Sequence, residues 1–406
     1  MTTLPSLNDR NTDYALLTLK SIAESTDDRR AGSVGEQAAK EILLTEMEKY
    51  CDETSEQSFT THPGAGTALQ KTLGALLVLC VVLFSVSVSK GSVLPTVVSL
   101  ILNLIIFGAY SHKFLFDGTF LDFIKPKKTS SNIIGRRFCR GETENRIVIT
   151  AHIDSPLCLR SSSFGQMILN LLFLLSLAGN TLLFCFQLFF LFSGAPINST
   201  LFDILNIVAI IFIPVYIFSI FIVDPRRTAS GISSSLVPCS IVVGVMKQLS
   251  EEGVRFGSTE VCFLFTGSEY SGRAGSYAFA RKHRRRFTDV PTVFISLEEI
   301  TRADHLSIFF RDGSGVSGSQ KDASIVAQAA ENLNLTITKE SPLMGSSSFT
   351  PFTQNNFKAC SIGTPKKYIA KTVSHNSDVP SAVRRDTVKN VGALLLETLN
   401  YYNDYI

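Results

Sequence analysis

The chain contains no tryptophan, and its eight cysteines form no Cys-x-x-Cys pair. Cys51, Cys80, Cys139, Cys158, Cys185, Cys239, Cys262 and Cys360 are scattered, two of them inside apolar runs. That spacing argues against a disulfide framework and a thiolate zinc site, and fits a reducing compartment. The polar stretch from Met1 to Ala15 has no apolar h-region, so no cleavable signal peptide is expected. Charge is scarce as well. With 18% charged residues and a formal net charge of +3, nothing points to nucleic acid as a partner. The basic clusters Lys125-Pro126-Lys127-Lys128, Arg226-Arg227 and Arg284-Arg285-Arg286 read as membrane-flanking or surface charge.

What the chain does have is apolar sequence: 45% hydrophobic residues, thirty Phe and a positive mean hydropathy of +0.22. Thr72–Ser89 and Gly91–Ser111 are free of charge and separated only by Lys90. Phe164–Phe202 is a second charge-free run, continued past Asp203 by Ile204–Val223. A bilayer-crossing helix needs about 20 apolar residues. Four spans are therefore expected, near 72–89, 93–111, 167–192 and 203–223, the last two joined at Gly194–Asn198. Buried core helices are the alternative, but the run 164–202 is too long for one; the shorter first pair leaves a re-entrant hairpin open.

These runs divide the chain into 1–71, a first hairpin at 72–111, a segment at 112–165, a second hairpin at 166–223, and 224–406. Two hairpins return the chain to its starting side, so the three polar segments share one compartment. Lys71, Lys113, Lys125, Lys127, Lys128, Arg226 and Arg227 flank the spans on that side, against Lys90 alone on the other. The excess of positive charge places the polar segments in the cytoplasm, with the lipid bilayer as a partner. The sequon Asn198-Ser199-Thr200 is too near the spans to carry weight.

The polar segments alternate in pattern. Helices are predicted at 13–24, 34–50, 233–249, 275–286, 321–333 and 386–402. Strands are predicted at 146–151, 260–266, 292–297, 306–310 and 359–363. This alternation predicts an α/β fold, a mostly parallel twisted sheet with helices on both faces, interrupted by the two hairpins. Sites in such sheets form at the carboxyl ends of strands, and the polar residues of interest follow strands here.

Ala151-His152-Ile153-Asp154-Ser155 closes the first predicted strand. Ala229-Ser230-Gly231 precedes a helix, and Thr266-Gly267-Ser268-Glu269 ends the second strand ahead of Gly272 and Gly275-Ser276. Leu297-Glu298 closes the third, and Ser374-His375-Asn376-Ser377-Asp378 lies before the last helix. That order resembles peptidase family M28, the co-catalytic zinc aminopeptidases and carboxypeptidases, from about residue 12 onward. Arg30-Ala31-Gly32-Ser33 also resembles the family's R-x-G-S. The resemblance implies a zinc-dependent hydrolase with His152, Glu298 and His375 as metal ligands. It makes Glu269 the general base and Asp154 the carboxylate that orients His152 from behind.

Two positions depart from the family pattern. Arg227 falls where the family has the Asp that bridges both metals, and Tyr270 falls where it has a Glu ligand. A bridging carboxylate offsets repulsion between two cations about 3.5–4 Å apart. Arginine keeps its proton and cannot ligate, and a phenol titrates near about 10. A doubly occupied zinc site is thus not expected, and one ion or none is. Asp224 is the nearest substitute carboxylate, but it sits at the membrane exit before Pro225. A metal-free salt-bridge cluster of Arg227 with Asp154, Glu269 and Glu298 is the other arrangement these residues permit.

Two functions follow. One is a membrane-embedded aminopeptidase homologue with weak or no activity; the other is a non-catalytic binding or scaffold protein, a pseudoenzyme whose cleft takes a peptide or peptide-like ligand. Ser346-Ser347-Ser348 has no partner His and Asp, so a serine hydrolase is unsupported. Apart from Asp203 the spans lack interior charge, which ranks transport last.

Overall fold

The computed structural model describes every residue except 1–5, 27, 116–117, 119, 160–164, 195–198, 222, 342–346, 373–377 and 406. The side chains of Val223–Thr228 are also outside the described set. The chain divides into two compact units: Met1–Pro63, Pro126–Leu157 and Thr228–Ile406 form one, Gly64–Lys125 and Cys158–Arg227 the other.

The first unit is built on an eight-stranded mixed sheet. In chain order its strands are β1 (Glu53–Thr61), β2 (Lys128–Arg137), β3 (Asn145–His152), β6 (Thr259–Thr266), β7 (Thr292–Leu297), β8 (Leu306–Phe309), β9 (Ile337–Glu340) and β10 (Lys358–Gly363). A separate two-stranded ribbon pairs β4 (Leu157–Leu159) with β5 (Val223–Thr228). The sheet order is β1-β2-β6-β3-β7-β10-β8-β9. Its centre, β6-β3-β7-β10, is parallel, and β8/β9 is parallel too, while β1/β2, β2/β6 and β10/β8 are antiparallel. The central strands are those whose β-branched and aromatic runs predict burial on both faces.

Alternate residues confirm that both faces are covered. Ile147, Ile149, Phe263, Phe265 and Ile295 join one apolar core, with the helices Asp9–Ser25, Val34–Tyr50, Val237–Glu251, Gln320–Asn332 and Arg385–Tyr405. Val148, Cys262, Leu264 and Phe294 join the other, with Phe279, Phe349 and Phe352. β1 and β2 are absent from the sequence expectation because Glu-Thr-Ser-Glu-Gln-Ser and Lys-Thr-Ser-Ser-Asn carry no apolar period. β1 is an edge strand with much of its surface in solvent, and β2 buries polar residues that are paired. Asn132 Nδ2, for example, donates to Gly275 O at 2.9 Å.

The second unit is helical: Ala65–Lys90, Val93–Tyr110, Gly165–Phe192, Thr200–Ile211 and Ile213–Phe221. The stretch expected as one span at 203–223 is broken at Phe212, next to Pro214, whose ring removes a backbone donor. Among the described residues five helices are long and apolar enough to cross a membrane; four lie in this unit. The fifth, Ile232–Glu251, has 94% of its apolar window buried and forms core of the α/β unit.

Gly275 marks the tightest approach near the carboxyl ends of the strands. A Cβ there would stand 2.1 Å from Gly267 O and 2.7 Å from Asn132 Oδ1. Gly275→Ala is expected to cost at least about 2 kcal/mol, because backbone and not a flexible side chain must move. Gly257→Ala, where nothing lies within 4 Å, should be near neutral. Thermal unfolding of both variants checks this.

Candidate functional site

β3 and β6 are adjacent and parallel, so their carboxyl ends emerge side by side and bring the segments after His152 and Thr266 together. Asp154 is fully buried and joins them. Its Oδ1 accepts from Glu269 N at 3.0 Å and its Oδ2 from Tyr270 N at 2.9 Å. His152 Nδ1 faces the same Oδ1 at 3.3 Å. A carboxylate only accepts, so Nδ1 carries the proton and Nε2 is left for the pocket. Asp154 thus lies behind the His152 ring.

The turn after β6 is held in an unusual shape. Ser268 and Arg273 have positive φ values of 58° and 53°, a conformation non-glycine residues rarely adopt. Between them, Glu269 Oε1 accepts from Ser276 N at 2.9 Å and Ser276 Oγ at 2.6 Å. Its Oε2 is buried with no hydrogen-bond partner. Burial raises the Glu269 pKa despite opposition from Arg273, Ser276 and His152. Burial works against a charged His152, but the Asp154 hydrogen bond and the nearby carboxylates outweigh it and raise that pKa.

Tyr270 places its ring edge-on to the His152 ring, centroids 5.3 Å apart and planes at 80°. It is 48% exposed, yet crowding around its hydroxyl and the charges of Glu299 and Asp154 raise its pKa and disfavour the phenolate. Glu298 commits Oε1 to Ser348 N at 2.9 Å. Its neighbour Glu299 is the carboxylate that feels Asp378 and His152; burial first, then the Asp378 charge, pushes its pKa to about 7.

Asp378 is a structural tie. Its carboxylate accepts from Ser230 Oγ (2.6 Å), Ile232 N (2.9 Å), Ser233 N (2.9 Å) and Ser233 Oγ (2.7 Å), capping the helical segment that starts at Ile232. Gly231 makes this possible: its φ is +62°, and a Cβ would stand 2.9 Å from Ser155 Cβ. His375 lies outside the described residues. Arg227 lies in β5, but its side chain is outside the described set, as is that of Asp224.

Two residues absent from the sequence expectation brace the site. Arg29, rather than Arg30, is buried; its guanidinium donates to Ile153 O at 3.3 Å and Ser230 O at 2.5 Å. Arg30 pairs with Asp28 at the surface. Glu36 accepts from Gly32 N at 2.6 Å and from Ser268 N at 2.8 Å. The spacing Ser33-x-x-Glu36 is a capping-box signature, and Ser33 Oγ does accept from Glu36 N at 3.1 Å. That signal marks Glu36 but does not reveal its second partner.

The structure therefore brings together His152, Asp154, Glu269 and Tyr270 at the carboxyl ends of β3 and β6. Residues 223–399 match the model of peptidase family M28. That segment is similar to the family. The fold is similar to a leucine aminopeptidase precursor from Bacteroides thetaiotaomicron, at 11% identity over 98% of each chain and a TM-score of 0.56. It is similar to a Zn-dependent exopeptidase from Parabacteroides distasonis, at 12% identity, 97% of this chain, 98% of that one and a TM-score of 0.53. A glutaminyl cyclase from Fimbriiglobus ruber gives 11% identity, 99% and 97% coverage and 0.56. At such identities the likeness is one of fold. No curated protein matches the chain.

The match to the M28 model suggests zinc, and the donors on hand test that. Among the described residues no group of three His, Cys, Asp or Glu is placed to hold a metal. Both Asp154 oxygens, one oxygen of Glu298 and one of Glu269 are already engaged, and a neutral phenol occupies the position after Glu269. The described residues do not fit a two-zinc centre.

Glu36 makes the brace pH-sensitive. Burial, then the Asp154 charge, lifts its pKa from the ordinary 4.5 to about 7. A raised carboxyl pKa contributes stability that is full below about 4.5 and lost as pH rises through about 7. Its share is on the order of 1–3 kcal/mol. Unfolding measured between pH 5 and pH 8 should show stability falling with pH, with a visibly smaller slope in Glu36→Gln; an unchanged slope overturns the assignment.

Proposed function

We propose that the chain is a membrane-embedded relative of the zinc aminopeptidases whose two-metal centre has been dismantled, leaving a cleft for a peptide or peptide-like ligand and weak or no peptidase activity. The observation that carries this is Tyr270. Its backbone is fixed by Asp154 and its ring stands against His152, so it sits beside the histidine that the resemblance makes a ligand, with a hydroxyl held neutral. Arg227, at the bridging position in sequence, replaces a metal-binding carboxylate with a side chain that cannot ligate. The retained His152–Asp154 pair and Glu269 favour a second reading, residual one-zinc hydrolysis with Glu269 as base, because catalytic zinc needs only about three protein ligands.

Purified full-length protein should carry well under one zinc per chain by elemental analysis and show no turnover of aminoacyl chromogenic substrates. Arg227→Asp/Tyr270→Glu should gain zinc. Near-stoichiometric zinc in the wild type, with turnover abolished by Glu269→Ala, would establish the one-zinc enzyme instead.

The bilayer reading is supported by an inside-out pattern. The helix Val93–Tyr110 buries Thr96, Ser99, Asn103 and Ile106 while exposing Ile101, Leu104, Ile105 and Phe107. Ile204, Ile207, Ile211 and Phe218 are exposed likewise. A water-soluble bundle does the reverse, and an apolar patch this extensive needs lipid or protein against it. Lys71, Lys125, Lys127, Lys128 and Arg226 keep the flanking excess positive, which supports a cytoplasmic α/β unit; Lys113 adds less, being paired with Asp122 in a buried ion pair. The protein is expected to stay in the membrane pellet after carbonate at alkaline pH and to leave it only with detergent; release by carbonate refutes the embedding.

A further inference from the structure

The helical unit contains a polar seam that neither the peptidase-type fold nor the need for an anchor accounts for. Gln187, in Gly165–Phe192, is fully buried, and its Nε2 donates to Ser99 Oγ at 2.6 Å. Ser99, in Val93–Tyr110, donates in turn to the backbone carbonyl of Cys80 at 2.8 Å. Cys80 belongs to Ala65–Lys90, so one relay of hydrogen bonds ties three helices. Asn103 Nδ2 extends the seam, lying 3.5 Å from Gln187 Oε1 and 3.4 Å from Asn180 O. Thr96, Ser99 and Asn103 share one face of their helix, and Ser176, Asn180 and Gln187 share the facing one.

The placement has a consequence for assembly. The first two helices are joined through the short turn at Gly91 and would stay paired as a hairpin. The later helices are separated from them in sequence, and meet them through apolar packing, such as Phe84 against Phe190 at 5.9 Å, and through this seam. Where the outward faces are apolar, apolar packing alone discriminates poorly between partners and registers, because the surroundings are as apolar as the partner helix. A buried amide that finds its partners in one register only does discriminate, since any slip leaves it unpaired. We infer that Gln187, through Ser99, is the lock that joins the two helical hairpins into one defined four-helix body. The hairpins are then a folded module and not two independent anchors. This inference stands apart from the state of the metal pocket.

Ser85 Oγ and Asn206 Oδ1, 2.6 Å apart, report the hairpin contact away from the lock. Full-length protein carrying Ser85→Cys and Asn206→Cys is treated with a mild oxidant in membranes, and the 85–206 linkage is followed by peptide mass spectrometry. The linkage is expected to form readily, to slow several-fold when Gln187→Leu is added, and to be accompanied by a melting temperature lower by several degrees in detergent. Leucine matches glutamine in volume, so the loss reports hydrogen bonding and not a cavity. Ser99→Ala, a smaller change that protects the test against a variant that fails to fold, should act in the same direction. Combining it with Gln187→Leu should add little, since both break one relay. Parent rates of linkage and an unchanged melting temperature in Gln187→Leu would overturn the lock and leave apolar packing as sufficient.

Discussion

The site depends on a single buried carboxylate. Asp154 receives the amides of Glu269 and Tyr270 and holds His152, so it fixes the end of β3 to the end of β6 and sets the direction of every side chain between them. Deep in the protein such a group is costly unless its acceptors are filled, and here all the principal ones are. The strain at Ser268 and Arg273 follows from that demand. A turn that must present two consecutive amides to one carboxylate has few conformations to choose from, and two residues adopt left-handed backbone to meet it. Glu36 and Arg29 then brace the outside of the same turn and of the neighbouring Ser230 segment.

On the proposed reading, that architecture explains how a metal centre can be lost while its frame persists. The groups that shape the pocket, Asp154, Glu36, Arg29 and Asp378, find their partners in protein, so the frame does not wait on a cation to be satisfied. Tyr270 contributes its backbone amide to the frame whatever its side chain is, which leaves the side chain free to change. Glu269 is different. One of its oxygens is tied to Ser276 and the other is buried without a partner, and burial raises its pKa.

The sequence displayed the parts of this arrangement that have a period or a motif. β3, β6, β7 and β10 were legible as short β-branched or aromatic runs because they are buried on both faces. β1 and β2 were not, since a strand that is polar along its length has no contrast between faces. Among site residues, the order of His152, Asp154, Glu269 and Tyr270 was legible. The partners of Glu36 and Arg29 were not, because those bonds join residues 232 and 201 positions apart and no local pattern encodes them. Glu299 was overshadowed by Glu298, which motif spacing selects, whereas only the surrounding charges distinguish the two. Sequence reported what each segment is, and tertiary contact decided what each polar side chain does.

The two units apply one rule differently, and comparing two helices makes the point. Ile232–Glu251 and Val93–Lys113 both pass for membrane spans by length and hydropathy. The first is surrounded by protein, with Val237 to Leu249 all buried, so its apolar residues serve the core on every side. The second turns its apolar residues outward and reserves its inner face for Thr96, Ser99 and Asn103. Apolar composition is therefore not what separates a core helix from a candidate span. The separating feature is where the polar minority points, because a hydrogen-bonding group gains most where competing solvent is absent. On the proposed bilayer reading, the helical unit draws its specificity from its polar residues and leaves affinity for its surroundings to its apolar ones. The α/β unit divides the work the other way: apolar packing builds its core, and buried polar groups are kept mainly for the pocket and its braces.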